Sequence, residues 1–150
     1  MDTNFDPGEG TNGVVRAVTL QSNGKVVIGG DFTAVNTVTR GRLARLDANG
    51  TLNSGFGANN RANGAIHALL IQPDGKLVLG GEFTQFLPIG NTRNRIALLD
   101  TAGNIGATFS IGSGANAIVT ELALQTDGKI FIGGFFANLG NLINHISRVF

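Results

Sequence analysis

The chain has 150 residues, 42% of them hydrophobic, with 23 glycines, no cysteine and a net charge of +1 from 11 basic and 10 acidic side chains. Glycine without proline richness or a three-residue period excludes collagen-like and disordered classes, and the apolar content suits one folded domain. A near-neutral chain without a basic run has no footprint for nucleic acid, no apolar run reaches the length of a membrane span, and disulfide and thiolate chemistry are absent.

In chain order, MDTNF at 1–5 reads as a lone strand and Gly8-Glu-Gly10-Thr-Asn-Gly13 as a loop. VRAVTLQ at 15–21, KVVIGGDF at 25–32, RLARLD at 42–47 and TLNSGF at 51–56 are short apolar or β-branched runs without helical spacing, and so predict strands. Asn23-Gly24 separates the first two, and Asn49-Gly50 the last two. Asn-Gly tolerates positive φ at both central positions, which predicts tight two-residue hairpins with primed turns.

The pattern then returns twice. Phe5, Phe56 and Phe109 align, and the residues that follow match without a gap as far as Gln21, Gln72 and Gln125. Asp74-Gly75 and Asp127-Gly128 repeat the first turn. The second copy is longer between Phe83 and Asp100, where QFLPIGNTRNR replaces AVNTVTRGR, and a variable length predicts a surface loop.

Four antiparallel strands in roughly 50 residues have the size of a propeller blade. The expected fold is therefore an all-β β-propeller with three four-stranded blades, in units 6–56, 57–109 and 110–150, with strand 1–5 as a closing piece. ISRVF at 146–150 aligns with LARLD at 43–47, so the third unit lacks its outer strand, and MDTNF matches that missing piece. Three blades are fewer than the roughly four to eight that close a ring. The sequence predicts that each N-terminal strand completes the third blade of a second copy, giving a six-bladed homodimer.

The run DTNFDPGEGTNGVVRAVTLQSNGKVVIGGDFT with RLARLDANGTLN resembles the delta-60 type repeat, which occurs in tandem in bacterial proteins as β-propeller blades. All three copies carry D/N-G-K, an apolar run and GG.F, and the first completes R-L-D-x-x-G, whereas Leu99 in the second lacks the Arg-Leu pair of Arg45-Leu46. Departures are Asn23 in place of the usual Asp, and Phe135 where the other copies have Asp31 and Glu82. The resemblance implies an extracellular or cell-surface scaffold, and it implies no catalytic residues. The N-terminus shows no charged start followed by an apolar stretch, so no secretory leader is expected within this sequence.

Several motifs need another explanation. Gly8 to Gly13 satisfies the dinucleotide fingerprint, but it leads into a strand where the fingerprint needs a helix, and it reads as a crossing between blades. Gly24-Lys25 lacks the earlier glycine and following hydroxyl of a phosphate loop, and Lys25, Lys76 and Lys129 read as solvated rim residues. Arg16, His67 and Thr120 share one register of the inner strand and, with the carboxylate of Glu121 in an apolar run, are the candidates for a ligand site at the axial channel. Arg40, Arg42 and Arg45 read as an exposed strand face.

No spaced His, Cys or Asp set calls for a metal, and no cofactor is expected. The leading functional reading is a non-catalytic scaffold or protein-interaction module whose partner is itself, and a protein partner besides. The competing reading is a carbohydrate-binding or enzymatic propeller. Sugar sites favour Trp and Tyr faces, whereas this chain has neither and its phenylalanines recur in repeat register as core residues would.

Overall fold

The computed structural model describes residues 4–58, 61–87, 91–105, 113–140 and 146–148, and these are all β-strand, turn and loop. The first copy holds β1 (Val15–Leu20), β2 (Val26–Gly30), β3 (Ala34–Val35), β4 (Val38–Thr39) and β5 (Leu43–Leu46). The second holds β6 (Arg61–Ala62), β7 (Ile66–Ile71), β8 (Leu77–Gly81), β9 (Gln85–Leu87), β10 (Asn91–Thr92) and β11 (Ile96–Leu99). The third holds β12 (Val119–Leu124), β13 (Ile130–Gly134) and β14 (Ile146–Arg148). Three sheets of like build result, ordered β1-β2-β5, β7-β8-β11 and β12-β13-β14.

The sheets follow the repeat closely, with four differences. The turns are not two-residue primed turns. Gly24 N–H donates to Gln21 O, Gln21 N–H donates to Lys25 O, and only the glycine has positive φ, at 79°. That is a three-residue loop, a type I turn closed by a left-handed glycine. The reason is the Asx side chain: Asn23, Asp74 and Asp127 each accept the N–H two residues on, which keeps them out of the left-handed region. Asn49-Gly50 closes in the same way, with Gly50 at φ 92°.

The outer strand TLNSGF is reduced to a single bridge, Leu46 to Leu52, repeated as Leu99 to Ile105. The chain leaves the sheet through a turn so that Phe56 passes beneath the next sheet, where its backbone neighbour Gly57 donates to Ala102 O. The segment of variable length is a small hairpin, not an irregular loop. β3 pairs β4 around Asn36-Thr37, both at positive φ, and β9 pairs β10 and the crossing strand β6. Finally β14 pairs β13 in parallel, Ile130 beside Ile146, where β5 and β11 run antiparallel to their neighbours. β5 and β11 are each followed by an Asp-x-x-Gly turn and a bridged outer segment that hold their direction.

Alternation along each strand divides every sheet into two apolar faces. Val27 and Leu43 of the first sheet join Ile66, Leu77, Leu79 and Leu99 of the second in one buried cluster. Val78 and Ile96, the next residues in register on the second sheet, join Val119, Ile130 and Ile132 of the third in another. The sheets are therefore stacked blade-fashion, β1 beside β7 and β7 beside β12.

The glycine pairs make that stacking possible. A Cβ on Gly30, Gly81 or Gly134 would lie 2.0, 2.1 or 2.2 Å from the carbonyl oxygen of Val14, Ala65 or Ile118, so the second glycine admits the backbone of its own inner strand. A Cβ on Gly29 or Gly80 would lie 2.7 or 2.6 Å from a methyl of Ile66 or Val119, so the first glycine admits a side chain of the next sheet. These knobs are β-branched and fully buried, with little freedom to move aside. Gly80→Ala should therefore destabilise the chain by about 1–3 kcal/mol, the cost of overpacking a filled site. Urea unfolding checks this, and an unchanged midpoint would refute the fit.

Candidate functional site

All three inner strands slip register at one place, between Val15 and Ala17, Ile66 and Ala68, and Val119 and Glu121. The extra residues are Arg16, His67 and Thr120, three of the four sequence candidates. A bulge re-aims its side chain away from the regular alternation. It turns Arg16 toward Asp31, with Nη2 2.5 Å and Nε 2.8 Å from Oδ2. It likewise brings His67 Nε2 to 3.0 Å from Glu82 Oε1.

Asp31 and Glu82 stand just past β2 and β8, so each pair closes the end of its own sheet. The hydrogen bond and charge of Asp31 hold the Arg16 guanidinium above its ordinary pKa, and Glu82 of the neighbouring sheet adds a smaller push in the same direction. The two pairs thus sense one another. The third copy breaks the series: Thr120 hydroxyl donates to Gly133 O at 3.5 Å, and Phe135 replaces the acid and is exposed. Glu121 does not join the other candidates. It pairs in register with Gly133 on the open face of the third sheet and makes no side-chain hydrogen bond or ion pair among the described residues.

The lysines are tied locally. Lys76 and Lys129 each reach the aspartate of their own turn at 2.7 Å, while Lys25, whose turn carries Asn23, reaches Asp47 at 2.8 Å. Hydrogen bonds from these ammonium groups are the leading cause that lowers Asp47, Asp74 and Asp127 below the ordinary carboxylate range.

The cluster Arg40, Arg42 and Arg45 is not an exposed strand face. Arg40 is buried, with its guanidinium on Thr39 O, and burial lowers its pKa. Arg42, at φ 67°, donates to Ala62 O at 2.6 Å in the crossing strand of the second copy, and Arg95, at φ 66°, donates to Ala115 O in the third. Arg45 covers the Phe56 ring at 4.4 Å and donates to Thr101 O. The apolar residues flanking these arginines in sequence lie between sheets, so the guanidinium groups end at the seams and bind backbone carbonyls there.

Residues that sequence reasoning missed are Asn12, Asn63 and Asn116. Each side-chain oxygen accepts two successive backbone N–H groups just after the buried phenylalanine of its copy, as Asn63 does from Thr84 and Gln85 at 2.8 and 3.0 Å. Asn12 serves Thr33 and Ala34, and Asn116 serves Ala137 and Asn138. Their recurrence at one repeat position was the available signal. The fingerprint-like glycines around Asn12 lead into β1, and this asparagine anchors the crossing.

A cleft of about 450 Å³ lies where the second and third sheets meet, lined by Asn94, Arg95, Ser113, Asn116 and Asn138 among others. Most of these groups are engaged within the protein: Asn94 with Ser113 O, Arg95 with Ala115 O, and Asn116 and Asn138 with backbone N–H groups. Among the described residues no three His, Cys, Asp or Glu side chains converge as a metal set, and no helix is long and apolar enough to cross a membrane.

Stacked antiparallel sheets joined by a crossing segment, each with its bulge and glycine pair, define a repeat protein of the β-propeller type. A family model described as a domain of unknown function (DUF5122) beta-propeller matches residues 21–56 and 72–109, so two copies of the unit are similar to that family. No curated protein matches the chain.

Two outcomes follow from the site chemistry. Asn63→Ala, which strands two backbone donors, should cost about 1–3 kcal/mol in thermal or urea unfolding; a neutral result would show that water replaces the side chain. The lowered aspartates bind fewer protons folded than unfolded. Their stabilisation is complete above the unfolded carboxylate pKa of about 3.9 and is lost as pH falls through the lower folded values. The urea midpoint should therefore drop below about pH 4, and Lys76→Met should flatten that drop.

Proposed function

We propose that this chain is a non-catalytic β-propeller scaffold or protein-interaction module, with three blades per copy and two copies in a six-bladed ring. The observation that carries the non-catalytic reading is the state of the candidate groups. Arg16 and His67 are held by Asp31 and Glu82, and the third copy supplies Thr120 beside an exposed Phe135 instead of a third such pair. An arginine stays protonated and cannot serve as a base, and the pairs of the first two copies close the ends of their own sheets, which is a structural use of these side chains.

Exchange of the N-terminal strand is the second part of the proposal. Asp6 N–H donates to Asn49 O just as Gly57 N–H donates to Ala102 O, so the segment after Phe5 enters the first sheet as the segment after Phe56 enters the second. Phe56 is 2% exposed beneath Arg45, whereas Phe5 is 36% exposed. A second copy's third blade would cover Phe5, and covering a phenylalanine is worth about 1.5–3 kcal/mol.

Light scattering after size exclusion should give the mass of two chains, and a single-chain mass would overturn the ring. Deleting residues 1–5 should lower the melting temperature and dissociate the pair. If the truncated chain keeps both mass and stability, strand exchange is wrong even where the ring stands.

A further inference from the structure

Resting on the assembly just proposed, we infer that the seam between copies is a third instance of the knob-and-hole contact that already occurs twice within the chain, with Val15 of one copy seated over Gly133 of the other. Val15, Ile66 and Val119 occupy one repeat position, and Gly29, Gly80 and Gly133 another. Ile66 sits on Gly29 and Val119 on Gly80, each within 2.7 Å of where a Cβ would stand. Both of those knobs are 0% exposed, whereas Val15 is 37% exposed, and nothing from another sheet lies within 4 Å of a Cβ at Gly133 among the described residues. Among the described residues one knob and one hole are thus left unfilled, on opposite ends of the stack.

The surroundings repeat as well. Leu69 and Ile71 beside the second knob pack against the first sheet, and Leu122 and Leu124 beside the third pack against the second. Their counterparts beside Val15 are Val18 and Leu20, 63% and 68% exposed. At the other end, the position of Val27 and Val78, which face the following sheet, is held by the half-buried Phe131. The two end faces thus match each other in the way that adjacent sheets match inside the chain, and the occupant they fit is a second copy, docked head to tail.

Glu121 sets this seam apart from the internal ones. Its repeat counterparts are Ala17 and Ala68, and its Cβ stands 3.3 Å from a Cβ at Gly133, beside the hole. The residue after the incoming Val15 is Arg16, so the Glu121 carboxylate, which has no partner among the described residues, meets the edge that carries the Arg16–Asp31 pair and can share its guanidinium. Opposite charge at the ends, and like apolar surface between them, favours the head-to-tail register over pairing of two identical faces.

The test uses the full chain and two variants, one on each face. Among the described residues a Cβ at Gly133 meets only Glu121, at 3.3 Å, so Gly133→Val fills the hole, and circular dichroism and melting establish that the variant keeps its fold before its mass is read. Val18→Lys charges the opposite face at an exposed position. Each variant alone should run as a single chain, and mixing the two should give a pair weaker than wild type, held by the one seam in which the intact β1 face of Gly133→Val meets the intact β12–β13 face of Val18→Lys. Glu121→Gln should weaken the pair roughly two- to fivefold and reduce its salt sensitivity. Two-chain Gly133→Val with wild-type affinity, or variants that fail to complement, would overturn the seam while leaving a strand-exchanged pair standing. A wild-type chain of single mass would overturn both.

Discussion

Close approach between sheets at the glycine pairs is the constraint on which the rest of this structure depends. At Gly29 and Gly80 a β-branched side chain from the next sheet comes nearer than any Cβ would allow, and at the second glycine of each pair the inner strand's own carbonyl does so. Those two contacts fix the spacing and tilt at which one sheet can lie on the next. The inner strand bulges at the same level, one residue being extra opposite the second glycine, and the bulge decides where Arg16 and His67 point. Packing and the polar rim are thus set by one backbone feature.

Polar side chains in this protein serve mainly to close backbone valences left by that packing. Successive sheets joined by crossing segments leave N–H and C=O groups at every junction, and buried groups of this kind must find partners. The asparagines at 12, 63 and 116 supply acceptors, while Arg42 and Arg95 supply donors to the crossing carbonyls. Arg42 and Arg95 both adopt left-handed backbone, a strained choice for a residue with a long side chain, which the donated bond and the neighbouring turn offset. Such residues look functional in a sequence because they are charged and regularly spaced. Their regularity comes instead from the repeat of one junction.

The third copy departs from the first two at the bulge and beside it. Glu121 stands in place of Ala68, Thr120 in place of His67 and Phe135 in place of Glu82. On the second sheet, alanine at this position is buried against the third, and a carboxylate there would be desolvated without a partner. On the open face of the third sheet the carboxylate remains solvated.

Strands, repeat length and the blade-like class were legible in the sequence, because alternation of apolar residues and Asx-Gly turns are local and recur three times. The identity of the core phenylalanines was legible for the same reason: Phe32, Phe83 and Phe136 are buried as their shared register implied. The form of the turns was not, since an Asx side chain that bonds the backbone two residues on gives a three-residue loop from the same Asn-Gly pair that a primed turn would use. The arginines' roles were also hidden, because a seam between sheets brings together Arg42 with Ala62 and Arg45 with Phe56, residues whose meeting depends on how far apart the sheets stack. The sequence by itself determined the unit and its faces. Only the tertiary structure decided which face meets which, because that depends on a knob and a glycine hole in different copies coming within van der Waals contact.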